Sequence, residues 1–322
     1  MAVYTPVGFD EAASLLAGLG LGVLQHLQGV RSGIENTNYF ATTDRGEWVI
    51  TLFERLPRTK LPYYLQLMRH LAAAGLPVPR PQGPSADALV HTLAGKPTAV
   101  VTRLGGEPVD APGTLHCSQL GSMLGRLHRA GADFGLDQAH ERSLPWWEQT
   151  LPSVLPHVTP EVGALLRGEL AYQHAVATSA AGRALPRGPI HADLFRDNAM
   201  FEPSPEGPRL SGILDFYFAG TDALLFDLAV CLNDWCIDDG SGRLDESRAQ
   251  ALLDAYRGQR ELAHGEWRLL PAMLRAAALR FWISRLWDWH LPREATLLVP
   301  KDPAHFERVL RQRIENPWLP DA

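Results

Sequence analysis

The sequence has little cysteine. Cys117, Cys231 and Cys236 form no C-x-x-C pair and are odd in number, so a disulfide framework is not expected and the three read as core thiols in a reducing compartment. Nor is there an uncharged apolar run of about 18 residues, the length a membrane-spanning helix needs. The opening MAVYTPVGFDEAASLLAGLG has no basic stretch ahead of its apolar one, so neither a secretory signal nor a transit peptide is expected, and the cytoplasm is the default. Positive charge is not in excess. Lys+Arg 30 against Asp+Glu 36 leaves a net charge of −6, which supplies no broad basic surface for a phosphate backbone and argues against nucleic acid as the main partner. Internal repeats and low-complexity linkers are absent. What is present is an ordinary globular composition, 46% hydrophobic and 20% charged, in 322 residues, enough for two domains or one bilobal unit.

Apolar spacing predicts a helix over Asp10–Leu19, then strands over Gly22–Val30, Asn38–Thr43 and Glu47–Phe53, the last two joined by Asp44-Arg45-Gly46. Leu61–Ala74 reads as a helix closed by Gly75 and a proline-rich stretch. A second hairpin, Ala88–Leu93 and Thr98–Leu104, turns at Ala94-Gly95-Lys96-Pro97 and leads into Gly105-Gly106. Beyond that point helical periodicity dominates. Cys117–Ala130 is amphipathic, and Trp267–Trp289 is apolar nearly all round, as a central buried helix should be. Two extended segments, Ile190–Phe201 and Gly212–Phe218, interrupt the helices. The expected fold is α+β, with a small mixed-sheet lobe over 1–104 and a larger, mainly helical lobe over 105–322.

The most informative segment is Pro189-Ile190-His191-Ala192-Asp193-Leu194-Phe195-Arg196-Asp197-Asn198-Ala199-Met200-Phe201, an H-x-D-L-x-x-x-N loop between apolar strands. Phosphoryl transfer needs a carboxylate beside the attacking hydroxyl and hard oxygen ligands for Mg²⁺. Asp193 and Asn198 offer one of each. Further on, Asp215 ends the apolar run Ile213-Leu214, a position where a carboxylate is costly unless paired or bound to metal. Either aspartate alone could be a turn or capping residue. Loop, spacing and second acid together point to a kinase. By contrast, Gly18-Leu19-Gly20-Leu21-Gly22 lacks the spacing of a dinucleotide fingerprint and follows a helix instead of a strand. His157, His174 and His191 show no metal-ligand spacing.

On these residues the chain resembles the aminoglycoside phosphotransferase and choline kinase superfamily, whose fold is similar to that of protein kinases. The runs Ser32-Gly33-Ile34-Glu35-Asn36-Thr37-Asn38-Tyr39-Phe40, Trp48-Val49-Ile50-Thr51-Leu52-Phe53-Glu54 and Leu232-Asn233-Asp234-Trp235-Cys236 resemble the branch that phosphorylates L-homoserine. The resemblance implies a bilobal kinase-like fold, ATP and Mg²⁺ as cofactors, and a place in threonine biosynthesis. It makes Asp193 the base, with His191 buttressing the loop, and Asn198 and Asp215 the magnesium ligands. Asp227 would support the loop from a neighbouring helix, or serve as an N-terminal helix acid. Ser32, Gly33 and Asn36 would cover the ATP phosphates, and Thr102 and Leu104 would flank the adenine ahead of Gly105-Gly106.

The third strand departs from the kinase pattern, because Thr51 stands where a phosphate-contacting lysine is usual and the helix Leu61–Ala74 has no acid to pair with one. Arg55, Arg58, Lys60 or Mg²⁺ would have to supply the charge, or the chain is a catalytically silent nucleotide-binding module. A zwitterionic substrate asks for an arginine and a carboxylate. Arg280, Arg285 and Asp234 are the candidates. Trp235, Trp282, Trp287 and Trp289 leave open an aromatic cage for choline, or a related amino alcohol such as ethanolamine or an aminoglycoside. Trp146-Trp147 reads only as a helix-to-core anchor.

Overall fold

The computed structural model describes residues 5–30, 36–85, 87–291 and 301–320. The chain divides into two compact units, the first holding residues up to Gly106 together with Ser211–Tyr217, the second holding most of the rest.

In the first unit, α1 (Phe9–Gly18) precedes β1 (Leu24–Gly29), β2 (Asn36–Thr43) and β3 (Gly46–Phe53), followed by α2 (Leu61–Ala73), β4 (His91–Leu93) and β5 (Lys96–Thr102). The strands make one sheet in the order β1-β2-β3-β5-β4, antiparallel throughout. Alternation in β2 turns Thr37, Tyr39, Ala41 and Thr43 inward. Tyr39 and Ala41 meet Ile50, Leu52, Val100 and, from α1, Ala12 and Leu16 in one apolar core. The hairpins are tighter than the sequence suggests. Thr43 pairs with Gly46 and Leu93 with Lys96, so each loop has two residues, and Gly46, Lys96 and Pro97 are already strand. Ala94 and Gly95 both take positive φ, 47° and 73°, the arrangement whose twist matches that of the flanking strands. Strand β4 is also shorter than expected and starts at His91, not at Ala88.

In the second unit come α3 (Thr114–Ala130), α4 (Leu144–Val154), α5 (Pro160–Thr178), α6 (Ala180–Arg183), β6 (Arg187–Ile190), β7 (Ala199–Glu202), the start of β8 (Arg209–Ile213), β9 (Gly220–Ala223), α7 (Leu224–Trp235), α8 (Glu246–Arg257), α9 (His264–His290) and α10 (Ala304–Glu315). Every residue of α7 is buried. Helix α9 packs on α4, α5, α6, α7 and α10, which is why its apolar residues follow no single stripe. Trp147 of α4 packs against Phe226 of α7. Helix α3 lies close against α8: a Cβ on Gly121 would stand 2.0 Å from the carbonyl oxygen of Leu252. The three cysteines are buried and free, with the sulfurs of Cys117 and Cys236 3.9 Å apart. Among the described residues, no helix is long and apolar enough to cross a membrane.

Candidate active site

The H-x-D-L-x-x-x-N loop is held from beneath by α7. Strand β6 ends at the buried Ile190, a short 3₁₀ turn covers Arg196–Asn198, and β7 starts at Ala199. Between them Ala192 adopts φ 67°, a left-handed conformation that costs a residue with a Cβ about 1–2 kcal/mol and persists only where its surroundings enforce it. Asp227 supplies the enforcement. Its Oδ2 accepts from the His191 N–H and its Oδ1 from the Ala192 N–H, both at 2.8 Å. Asp227 is itself fully buried. Burial pushes its carboxyl up, but the hydrogen bond from His128, whose Nε2 lies 3.2 Å from Oδ2, and the backbone N–H of His191 outweigh that and hold it below the usual carboxylate range. Leu194 is anchored through its carbonyl oxygen, which accepts from Trp235 Nε1 at 3.0 Å. The Asp193 N–H donates to His191 Nδ1 at 3.3 Å, and the Asp193 carbonyl accepts from Asn198 Nδ2 at 2.8 Å. The Asp193 carboxylate keeps about 20% of its side chain exposed, with Arg280 Nη1 4.0 Å away.

The donor set for a metal is a sparse one. Because Asn198 spends its amide nitrogen on the Asp193 carbonyl, its Oδ1 is left as a hard oxygen donor, the ligand type that Mg²⁺ prefers. Asp215, in the first unit, has φ 60°, a second strained residue at a position expected to do chemistry. Among the described residues no group of three or more His, Cys, Asp or Glu could hold a metal ion unaided. The Asn198 oxygen is of the type that a cation arriving with phosphate oxygens of its own accepts.

Other residues singled out in the first unit are structural neighbours of the sheet. Thr51 is buried on β3 and donates to Asn38 Oδ1 at 2.7 Å. It also reaches the phenol of Tyr217, which burial and then the nearby Asp215 carboxylate raise well above the ordinary tyrosine range. Thr102 Oγ1 accepts from the Arg80 N–H at 2.8 Å. Leu104 lies over Gly212, where a Cβ would come within 2.8 Å of it. Asn36 opens β2 opposite Phe53. Ser32 and Gly33 lie outside the described residues. Of the cations offered in place of the missing lysine, Arg58 is committed to the carbonyls of Val90 and His91 and the hydroxyl of Thr92.

In the second unit, Asp234 and Arg285 line one cavity of about 390 Å³, together with Phe195, Arg196, Lys301 and His305. Burial raises the Asp234 carboxyl, against the pull of Arg196, whose N–H donates to Asp234 Oδ2 at 2.8 Å. Burial also draws Arg285 down to about 10, although Asp234, Asp302, Asp197 and Asp193 oppose it. Arg280 does not line this cavity; it is buried, stacks 3.7 Å over the Phe281 ring and faces Asp193. Trp235 and Trp282 are fully buried core, so they form no cage for a quaternary ammonium. Arg196 and His128 escaped the sequence reading. Arg196 sits at an unspecified position of the loop motif, and His128 was visible only as a polar residue on the apolar stripe of α3.

Comparison with known proteins agrees with the geometry. The APH model, described as a phosphotransferase enzyme family, matches residues 26–270, and the chain belongs to that family of phosphotransferases. The curated relatives it matches end to end are homoserine kinases. That of Polaromonas naphthalenivorans (strain CJ2) is 56% identical over 99% of this chain and 100% of its own length, and that of Paraburkholderia xenovorans (strain LB400) is 52% identical over 99% and 98%. Solved structures share the fold at low identity. An amicoumacin kinase in complex with AMP-PNP, Ca²⁺ and amicoumacin superposes with a TM-score of 0.65 at 17% identity, covering 95% of this chain and 93% of that one. An ethanolamine kinase of Plasmodium vivax gives 0.66 at 13% identity, covering 94% and 87%.

Proposed function

We propose that this chain transfers the γ-phosphoryl group of ATP to the side-chain hydroxyl of L-homoserine, giving O-phospho-L-homoserine. The observation that carries the reading is its end-to-end likeness to homoserine kinases, 56% identical in one case. Asp193, presented on a loop whose backbone is held by Asp227 and Trp235, receives the proton of the hydroxyl as the oxygen attacks the γ-phosphorus. Asn198 and Asp215 each offer an oxygen ligand to Mg²⁺ carried in with ATP. When bound, the ion neutralises phosphate charge, the task a third-strand lysine would otherwise share. The zwitterion is met by opposite charges, Arg285 for the carboxylate and Asp234 for the ammonium, on the walls of one cavity. Arg280 steadies the ionised base.

A panel of hydroxyl compounds with MgATP, read as ADP release, tests this. L-Homoserine should exceed ethanolamine and choline in kcat/KM by about a hundredfold, the cost of two lost contacts at about 1.4 kcal/mol per tenfold. Arg285→Ala should raise the KM for homoserine and leave that for ATP unchanged. A preference for choline, with Arg285→Ala behaving like wild type, would overturn the assignment.

A further inference from the structure

The grip of Asp227 on the loop depends on how its own carboxylate is held, and that leads outward through four side chains of the second unit. His128 of α3 is buried, 3% exposed, and Tyr256 of α8 completely so. The Nε2 of His128 lies 3.2 Å from Asp227 Oδ2, and its Nδ1 lies 2.7 Å from the Tyr256 hydroxyl. Arg260 Nη1 donates to that hydroxyl oxygen at 3.0 Å, and Arg260 Nη2 donates to both carboxylate oxygens of Glu266 at 2.8 and 2.9 Å.

Only one proton arrangement satisfies every atom. The Asp227 oxygens accept from backbone N–H groups, so His128 Nε2 must carry the hydrogen directed at Oδ2. The Tyr256 oxygen already accepts from Arg260, so its hydroxyl proton must go to His128 Nδ1, which then has to be the unprotonated nitrogen. A doubly protonated ring would leave the tyrosine proton with no acceptor and put a second cation near Arg260.

We infer that His128, with its tautomer set by Tyr256 and Arg260, is a positioning residue for phosphoryl transfer: it aims Asp227, which holds Ala192 in its left-handed conformation and so fixes where the Asp193 carboxylate stands. This role rests on Asp193 acting as the base. Its magnitude follows from geometry, since misplacing a reacting group by about 1 Å can cost on the order of a hundredfold in rate.

Two substitutions separate positioning from bulk packing. In His128→Gln the amide nitrogen falls near the position of Nε2 and can still donate to Asp227. In His128→Asn the amide reaches only the Nδ1 side, so Oδ2 loses its side-chain donor and keeps only the His191 N–H. Turnover by His128→Gln should stay within about threefold of wild type, whereas His128→Asn should lose between about tenfold and a hundredfold in kcat, with the KM for ATP within about twofold. Tyr256→Phe keeps the ring and frees the tautomer; it should lose severalfold in kcat while melting within a few degrees of wild type, and it carries the test should His128→Asn fail to fold. Equal kcat in the Gln and Asn variants, or wild-type kcat in Tyr256→Phe, would overturn the inference. The ratios are taken on whichever hydroxyl compound wild type turns over, so loss of the homoserine assignment would show in the wild-type panel and not in these ratios.

Discussion

Asp193 owes its usefulness to what its neighbours do with their backbones. His191 and Ala192 give their N–H groups to Asp227, Leu194 gives its carbonyl to Trp235, and Asn198 returns to the Asp193 carbonyl. The carboxylate takes no part in those backbone bonds and faces Arg280. Replacing Asp193 by Ala removes the proton acceptor and touches none of those backbone bonds. Turnover of Asp193→Ala should therefore fall by roughly 10²–10⁴-fold, while ATP affinity measured by calorimetry stays near that of wild type. A variant that still turned over at close to the wild-type rate would take Asp193 out of the chemistry. The strain at Ala192 belongs to the same picture, because a left-handed alanine is tolerable only while Asp227 accepts both N–H groups.

At the scale of elements, the loop was legible because its chemistry is local: His191, Asp193 and Asn198 sit within eight consecutive residues, and apolar strands bracket them. Helix α9 was legible for a related reason, since a segment that packs on five other helices must be apolar all round. The long-range partners were not. His128 and Tyr256 are 128 positions apart, and nothing in the spacing of either says that α3 and α8 touch. The two-residue turn at Ala94-Gly95 was misread because alanine carries no signal for positive φ. What brings α3 and α8 together is the bare backbone of Gly121, facing Leu252. A methyl there meets main chain, which cannot rotate away, so Gly121→Ala should cost about 1–3 kcal/mol in urea-denaturation stability and also lower kcat by separating His128 from Tyr256. Unchanged stability in that variant would mean the helices can part at little cost.

For the molecule as a whole, acid should act in two stages. Burial, then the charge of Arg285, brings His305 down to about 4, and burial lowers His116 as well. A histidine lowered in the folded state is protonated first in the unfolded one, so stability is fully present above about pH 6.5 and declines as the pH falls toward about 4. The carboxyls of Asp222 and Asp227, held low by His140 and His128 against the effect of burial, add a second decline below about pH 4. Urea midpoints should drop between pH 7.5 and 5, and His305→Gln should flatten part of that drop; a midpoint level across this range would contradict the sign. The sheltered sulfurs of Cys117, Cys231 and Cys236 offer a clock that needs no engineered label. A chromogenic disulfide reagent reacts only with thiolates it can reach, so it should find none of the three promptly in the native chain and all three in denaturant. The slow native reaction then times the opening of α7 and the elements around it. Saturating ATP, if it steadies the loop that α7 carries, should lengthen that time.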